Sequence, residues 1–226
     1  VPGYYRIQSA VAEFFTQQGH TKSIYVSEDG MTLGWKKTET DNIAFYFDFR
    51  PSSENPDSQI AELVAAGTIT EEEAAQAYTI RAVGTTVPYS EFYIGESDAQ
   101  STQIDLADGW PSDYLVLPAT GSNFNLANPT NKGNFCLHAN GHGSGAGQGS
   151  NLVYWSGGAG ASQWRLIKVD YVPQSIEDLV AEGDEVVSVA YYTVGGASSS
   201  APAKGVNIVK IVYANGVVET KKVLVK

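Results

Sequence analysis

With 14 lysines and arginines against 25 aspartates and glutamates, the 226-residue chain carries a formal charge of −11. This excludes nucleic acid and anionic membrane as main partners, because phosphate binding requires a basic surface. A single cysteine, Cys136, excludes an internal disulfide, and no apolar run reaches the roughly 18 residues of a membrane span. Abundant glycine (23) and tyrosine (13) with frequent turn signals describe an all-β protein of extracellular type. The length suits one medium domain plus a small one. A start at Val1 without a signal peptide predicts a processed or excised piece of something longer, either monomeric or part of a longer chain.

In chain order, the first strands are expected at Tyr5 to Ser9, Ser23 to Ser27 and Met31 to Trp35, with Glu28-Asp29-Gly30 as a hairpin turn. A fourth runs from Ile43 to Arg50, where Ile43, Phe45, Phe47 and Phe49 alternate on one face. Residues 51–77 then change period. Ile60, Leu63 and Val64 have helical spacing up to Gly67, a C-cap, and Thr70-Glu71-Glu72-Glu73 is a capping box for a second short helix. This insertion is expected to cover one side of the β body. Strands resume at Tyr78 to Val83, Glu91 to Glu96, Gln103 to Leu106 and Tyr114 to Leu117. They continue at Phe124 to Ala127, Phe135 to Ala139, Leu152 to Trp155 and Gln163 to Val169.

The first strand of each group of four opens on the same pattern: Tyr5-x-Ile7, Tyr78-x-Ile80 and Phe124-x-Leu126. The last two lie 46 residues apart, and so do the first two once the 27-residue insertion is removed. Phe45 follows Tyr5, and Trp164 follows Phe124, by the same 40 residues. Four strands per repeat and three repeats predict twelve strands, which close into a six-stranded barrel capped by three hairpins. With the closing Gln163-Trp164 element and the Cys136-Leu137 pair, residues 3 to 170 resemble the β-trefoil of ricin-type lectin domains. The resemblance implies a carbohydrate-binding fold. His138 stands where the family's sugar-binding aspartate is expected, and Tyr25 stands there in the first repeat.

The expected organisation is therefore a β-trefoil over 1–172 with its helical insertion at 51–77, a linker helix over 173–183, and a small β-sandwich-like module over 184–226. The module has strands at Val186 to Thr193, Val206 to Tyr213 and Val217 to Val225, with Ala214-Asn215-Gly216 as a hairpin signal. Through Gly205-Val206-Asn207-Ile208-Val209 and the final Lys222-Val223-Leu224-Val225-Lys226, this tail resembles the C-terminal sorting domains of type IX secretion. That family usually has tyrosine where Asn207 stands. The resemblance implies a secreted or cell-surface protein.

Sugar recognition requires a flat aromatic face and fixed polar groups matched to neighbouring hydroxyls. Tyr154 and Trp155 are adjacent on one short strand, so one points inward and the other outward. Either one as platform, with His138 and Asn140 as polar partners, forms the leading candidate; the alternative is that the aromatics cap the barrel and the histidine caps a turn. Tyr25 and Trp35, with Asn42, form a weaker copy, and Trp110 beside Asp108 and Asp113 a weaker one still.

The glycine-rich stretch Asn140 to Ser150 lacks the Lys-Ser/Thr of a phosphate loop and reads as a surface hairpin. His138 and His142 lack a third ligand, so neither metal nor cofactor is expected. Gly95-Glu96-Ser97-Asp98-Ala99 misses the nucleophile-elbow pattern by one residue. The sequence thus favours a non-catalytic module holding a glycan weakly, at about millimolar to micromolar, with multivalent binding through more than one repeat as an expectation. A protein-interaction or spacer trefoil without a sugar site is the alternative, and a fragment of a glycan-processing enzyme ranks third.

Overall fold

The three aromatic-x-aliphatic pairs occupy equivalent places around one barrel. In a computed structural model, residues 2–11, 21–83, 92–108, 111–141, 150–171, 186–193, 195–199, 201–213 and 218–225 are described. The linker helix, the Ala214-Asn215-Gly216 turn, Trp110, His142 and residues 142–149 of the glycine-rich stretch lie outside them. The chain divides into two compact units, Val1–Val169 and Asp170–Lys226.

The first repeat contributes β1 (Gly3–Ser9), β2 (Lys22–Val26), β3 (Leu33–Lys37) and β4 (Phe47–Pro51). After the insertion come β5 (Ala77–Ala82), β6 (Phe92–Ile94), β7 (Gln103–Ile104), β8 (Leu106–Asp108) and β9 (Tyr114–Pro118). The third repeat supplies β10 (Phe124–Ala127), β11 (Cys136–Ala139), β12 (Ser150–Trp155) and β13 (Trp164–Lys168). Within repeats β1 pairs with β4, β5 with β9 and β10 with β13; between repeats β4 pairs with β5, β9 with β10 and β13 with β1. Those six antiparallel pairings close a ring, and β2–β3, β6–β8 and β11–β12 form the three hairpins. This is a β-trefoil.

Register makes the symmetry explicit. The leading aromatic of each repeat faces an aromatic of its own fourth strand: Tyr5 faces Phe47, Tyr78 faces Tyr114 and Phe124 faces Trp164. Two residues further on, each aliphatic faces the preceding repeat: Ile7 faces Leu166, Ile80 faces Phe49 and Leu126 faces Val116. Ile7, Ile80, Leu126, Phe47, Tyr114 and Trp164 are all 0% exposed, and burying each such side chain stabilises the fold by about 1.5–3 kcal/mol. The sequence repeat is thus a packing repeat: an aromatic pair within each repeat, and an aliphatic residue packed across each junction between repeats.

Two expectations about strands are corrected. Ile43–Phe45 is a 3-10 turn rather than the start of a strand, because Asn42 Oδ1 accepts from the Ala44 N–H at 2.9 Å and draws the backbone into a local turn. Ile43 is consequently exposed, and Phe47 rather than Phe45 is the counterpart of Trp164. Thirteen strands rather than twelve are found among the described residues of this sheet. The expected strand Gln103 to Leu106 breaks at Asp105, whose carboxylate accepts from the Leu33 N–H at 2.9 Å and from Gln103 Nε2 at 2.6 Å.

The insertion carries α1 (Ile60–Ala65) and α2 (Glu71–Ala74). Gly67, at φ +70°, ends α1: its N–H bonds Val64 O while that of Thr68 bonds Leu63 O, a Schellman closure. Thr70 and Glu73 form the capping box in both directions. Ile60, Leu63, Val64 and Ala74 pack on a buried cluster of Ile69, Ala77, Leu115, Ala127 and Cys136, so the helices cover one flank of the barrel. Lys132 Nζ, 2.6 Å from each Glu73 carboxylate oxygen, pins α2 to the third repeat.

The C-terminal unit contains β14 (Val186–Thr193), β15 (Ser198–Ser199), β16 (Gly205–Tyr213) and β17 (Val218–Val225), in the order β15-β14-β16-β17. The described residues form one antiparallel sheet rather than the two layers of a sandwich. Tyr191, Val209, Ile211 and Val223 make its buried cluster. Asn207 is buried with them because its amide is satisfied locally: Oδ1 accepts from Ala203 N–H at 2.9 Å, and Nδ2 donates to Ala203 O at 2.6 Å and Gly205 O at 3.0 Å.

Candidate functional site

The two aromatics at the end of β12 separate by strand alternation, with Tyr154 0% and Trp155 40% exposed. Tyr154 stacks on Phe135 with ring centroids 5.3 Å apart, and its hydroxyl lies 3.2 Å from Tyr114 Oη. Burial pushes its hydroxyl up to about 12. Tyr154 is therefore core and offers no face to a ligand, which leaves Trp155 as the platform.

Cys136 is the residue opposite Trp155 in the β11–β12 register, and His138 lies two positions further along β11 on the same face. The His138 and Trp155 rings meet at 6.2 Å between centroids, tilted by 44°. His138 Nδ1 lies 2.8 Å from Ser162 Oγ, and that hydroxyl donates to the Ser156 carbonyl at 2.8 Å. Asn125 Nδ2 braces the turn that carries Ser162, donating to Ser162 O at 2.8 Å and Gly157 O at 3.1 Å. Gly157 permits this closeness: a Cβ there would sit 2.9 Å from Cys136 Sγ and 3.2 Å from Asn125 Oδ1. An exposed indole beside a braced imidazole is the chemistry of a shallow site for a ring with an apolar face and polar edges.

Ser162 and His138 are not a nucleophile and its base. Ser162 is 0% exposed and its proton is directed to a backbone carbonyl, so no substrate reaches the hydroxyl.

Asn140 is exposed, yet its amide is directed along the hairpin caps. Its Nδ2 donates to Asn151 Oδ1 at 2.8 Å, and Asn151 Nδ2 continues to Gln103 Oε1 at 3.3 Å. Its carbonyl accepts from Trp35 Nε1 at 3.0 Å. Asn140 and Asn151 together thus link the first hairpin, the third hairpin and β7.

The first-repeat copy is occupied by the protein itself. Trp35 is 1% exposed, because it is the β3 counterpart of Tyr154 and points inward. Counting from the paired residues Tyr25–Gly34 and His138–Val153, the counterpart of Trp155 is Lys36. Its ammonium lies 4.4 Å from the Tyr25 ring centroid and 5.4 Å from that of Phe45, and 3.4 Å from Glu39. Tyr25 is half-buried beneath it. Asn42 caps the Ile43–Phe45 turn. In the second repeat Asp113 accepts from Ser58 Oγ at 2.7 Å, within the join to the insertion.

Three participants were not singled out in the sequence: Ser162, Asn125 and Lys36. Asn125 had a signal, a polar residue inside the Phe124-x-Leu126 pair; Ser162 and Lys36 had none without the register. Two clefts of about 390 and 550 Å³ run along the insertion, and neither is lined by His138 or Trp155. Among the described residues no group of His, Cys, Asp and Glu suits a metal ion, and no helix is long and apolar enough to cross a membrane.

No family model matches the chain, and no curated protein matches it. Among solved structures, a Macrolepiota procera ricin B-like lectin in complex with lactose is similar at 14% identity and a TM-score of 0.49, over 74% of this chain and 95% of that one. The trefoil is established by this chain's own strand pairings.

Proposed function

We propose that this chain is a non-catalytic carbohydrate-binding module of a secreted or cell-surface protein, an accessory part of a larger glycan-processing assembly. The observation that carries the reading is Trp155, exposed at the rim of the trefoil beside the braced His138. A sugar ring lays its C–H face on the indole, and hydroxyls at its edge meet the imidazole. One stacked ring with few polar contacts holds a glycan at about millimolar to micromolar. The tail's likeness to sorting domains supports export, with the C-terminal sheet as the sorting element.

The test is a broad glycan array probed with the intact chain and with Trp155→Ala. Binding by the parent that vanishes in the variant, with an unchanged circular dichroism spectrum, supports the reading; silence of the parent across the array rejects it. One observation favours a second reading, a protein-interaction or spacer trefoil: Lys36 fills the first-repeat position with the protein's own side chain. That reading predicts a silent array and a protein partner whose binding survives Trp155→Ala.

A further inference from the structure

We infer that the Trp155 platform continues along β12 into an oriented ladder of side-chain amides, Asn140, Asn151 and Gln103, so that the site takes a neutral oligosaccharide of two or more rings rather than a single sugar. This deepens the carbohydrate reading and rests on it.

Strand alternation puts Trp155, Val153 and Asn151 on one face of β12. On one side Asn140 lies across from Asn151, its N–H bonding Asn151 O at 3.1 Å, and on the other side Gln103 pairs with Val153. Asn140 and Gln103 are exposed, and Asn151 is half-buried between them. The polar row therefore crosses β11, β12 and β7 on the face that carries the indole. Four residues of strand separate Trp155 from Asn151, a distance of about 13 Å. That span exceeds one sugar ring, so a ligand touching both ends has at least two.

The direction of the ladder is fixed from its far end. Asp105 Oδ1 accepts from the Leu33 N–H at 2.9 Å, and a carboxylate offers acceptors only, so the 2.6 Å hydrogen bond to its Oδ2 comes from Gln103 Nε2. Gln103 Oε1 is thereby turned to Asn151 Nδ2 at 3.3 Å, and Asn151 Oδ1 to Asn140 Nδ2 at 2.8 Å. A primary amide has two hydrogens and two lone pairs. Asn151 and Gln103 each spend one of each within the row, which leaves each of them a donor and an acceptor. Neighbouring sugar hydroxyls also donate and accept, so they match this alternation. No member of the row is a cation, and Asp105 at its end disfavours an acidic sugar.

The experiment is a broad glycan array displayed as a size series, from one to four residues, with homo-oligomers of glucose, galactose, mannose and N-acetylglucosamine included. The full chain is probed alongside Gln103→Ala and Asn151→Ala. In the parent, affinity is expected to rise about tenfold from one residue to three, the worth of one or two hydrogen bonds. In both variants that rise shrinks to under about threefold. Circular dichroism checks the fold; Gln103 is exposed, so Gln103→Ala carries the test if Asn151→Ala does not fold. Proton–nitrogen NMR gives a reading without mutation: the side-chain amide signals of Asn140, Asn151 and Gln103 shift on adding the tightest trisaccharide of the series.

Equal affinity for one to four residues overturns the inference and leaves a single-ring site at Trp155. A bound trisaccharide that moves the Trp155 indole but none of the three amides does the same, as does a preference for acidic sugars. Silence of the parent across the array overturns the carbohydrate reading, and the ladder as a subsite falls with it.

Discussion

Trp35 donates its indole N–H to the carbonyl of Asn140 across 3.0 Å, tying the buried aromatic of the first hairpin to the end of β11 in the third repeat. Trp35 and Trp155 are thus opposite in kind, at 1% and 40% exposure. Trp35→Ala is expected to cost about 3–5 kcal/mol of stability, the range for deleting a buried large aromatic. Trp155→Ala should cost under about 1 kcal/mol. Urea unfolding of both variants measures the contrast, and equal losses would contradict the placement of Trp155 outside the core.

Asp48 is 5% exposed on the barrel and binds two guanidinium groups, Arg50 Nε at 2.8 Å and Arg81 Nη2 at 3.2 Å. Arg81 is itself 2% exposed. Asp48→Ala removes the carboxylate and leaves a buried cation without that partner, which is expected to cost about 3–5 kcal/mol. Asp48→Asn, which keeps an acceptor oxygen, should cost less. Thermal unfolding of the pair tests the order.

The Glu73 carboxyl is held below its usual range, first by the hydrogen bond from Lys132 and then by the Thr70 backbone N–H. A carboxyl whose pKa is depressed by folding adds stability that is fully present above its unfolded value, about 4.3, and is lost as pH falls through the folded value. Glu73→Gln should therefore be less stable than the parent at neutral pH, and the gap should close as pH drops below about 4. Melting temperature against pH reads this directly. A gap independent of pH would assign the effect to the capping box rather than to charge.

Burial pushes the Cys136 thiol up to about 11, and its Sγ lies 3.3 Å from Lys132 O. In the folded protein it should resist a thiol reagent such as DTNB, and its labelling rate should rise with urea in step with unfolding. Rapid labelling of the native chain would contradict the packing described around β11.

Gly157 and Gly158 are neighbours with opposite tolerance. A methyl group at Gly157 meets Cys136 Sγ at 2.9 Å, whereas one at Gly158 has Ser156 Oγ at 3.8 Å as its nearest neighbour. Gly157→Ala should cost about 1–3 kcal/mol through overpacking, and Gly158→Ala little. Because Gly157 O also accepts from Asn125, Gly157→Ala should weaken glycan binding as well. Chemical denaturation and the array together distinguish the two variants.

The barrel was legible because its packing rule repeats in sequence: Tyr5, Tyr78 and Phe124 each precede a core aliphatic by two residues, and the pairings put all three in one register. The capping box and Gly67 were legible because their chemistry is local. What failed was non-local or competitive. The alternation from Ile43 to Phe49 described a strand, but the Asn42 cap outcompeted it for the first turn. Alternation also required one of Tyr154 and Trp155 to face inward without saying which; the contacts of Tyr154 with Tyr114 in the second repeat and with Phe135 in its own hairpin decide it. The same alternation leaves open which way Trp35 faces in the first-repeat copy, and it turns inward, at 1% exposure. Lys36 is adjacent to it in sequence, yet only the register identifies it as the counterpart of Trp155. Ser162 acts through a partner 24 residues away, a relationship that no spacing encodes.

The most direct measurement is a proton–nitrogen NMR titration of the full chain with the best glycan from the array, following its four tryptophan indole signals. A glycan site at Trp155 predicts that the Trp155 indole and the backbone amides of His138 and of 155–162 move together and saturate, while the buried Trp35 and Trp164 indoles stay in place. Saturable shifts confined to the insertion, or indole signals that never respond to a bound glycan, would contradict it.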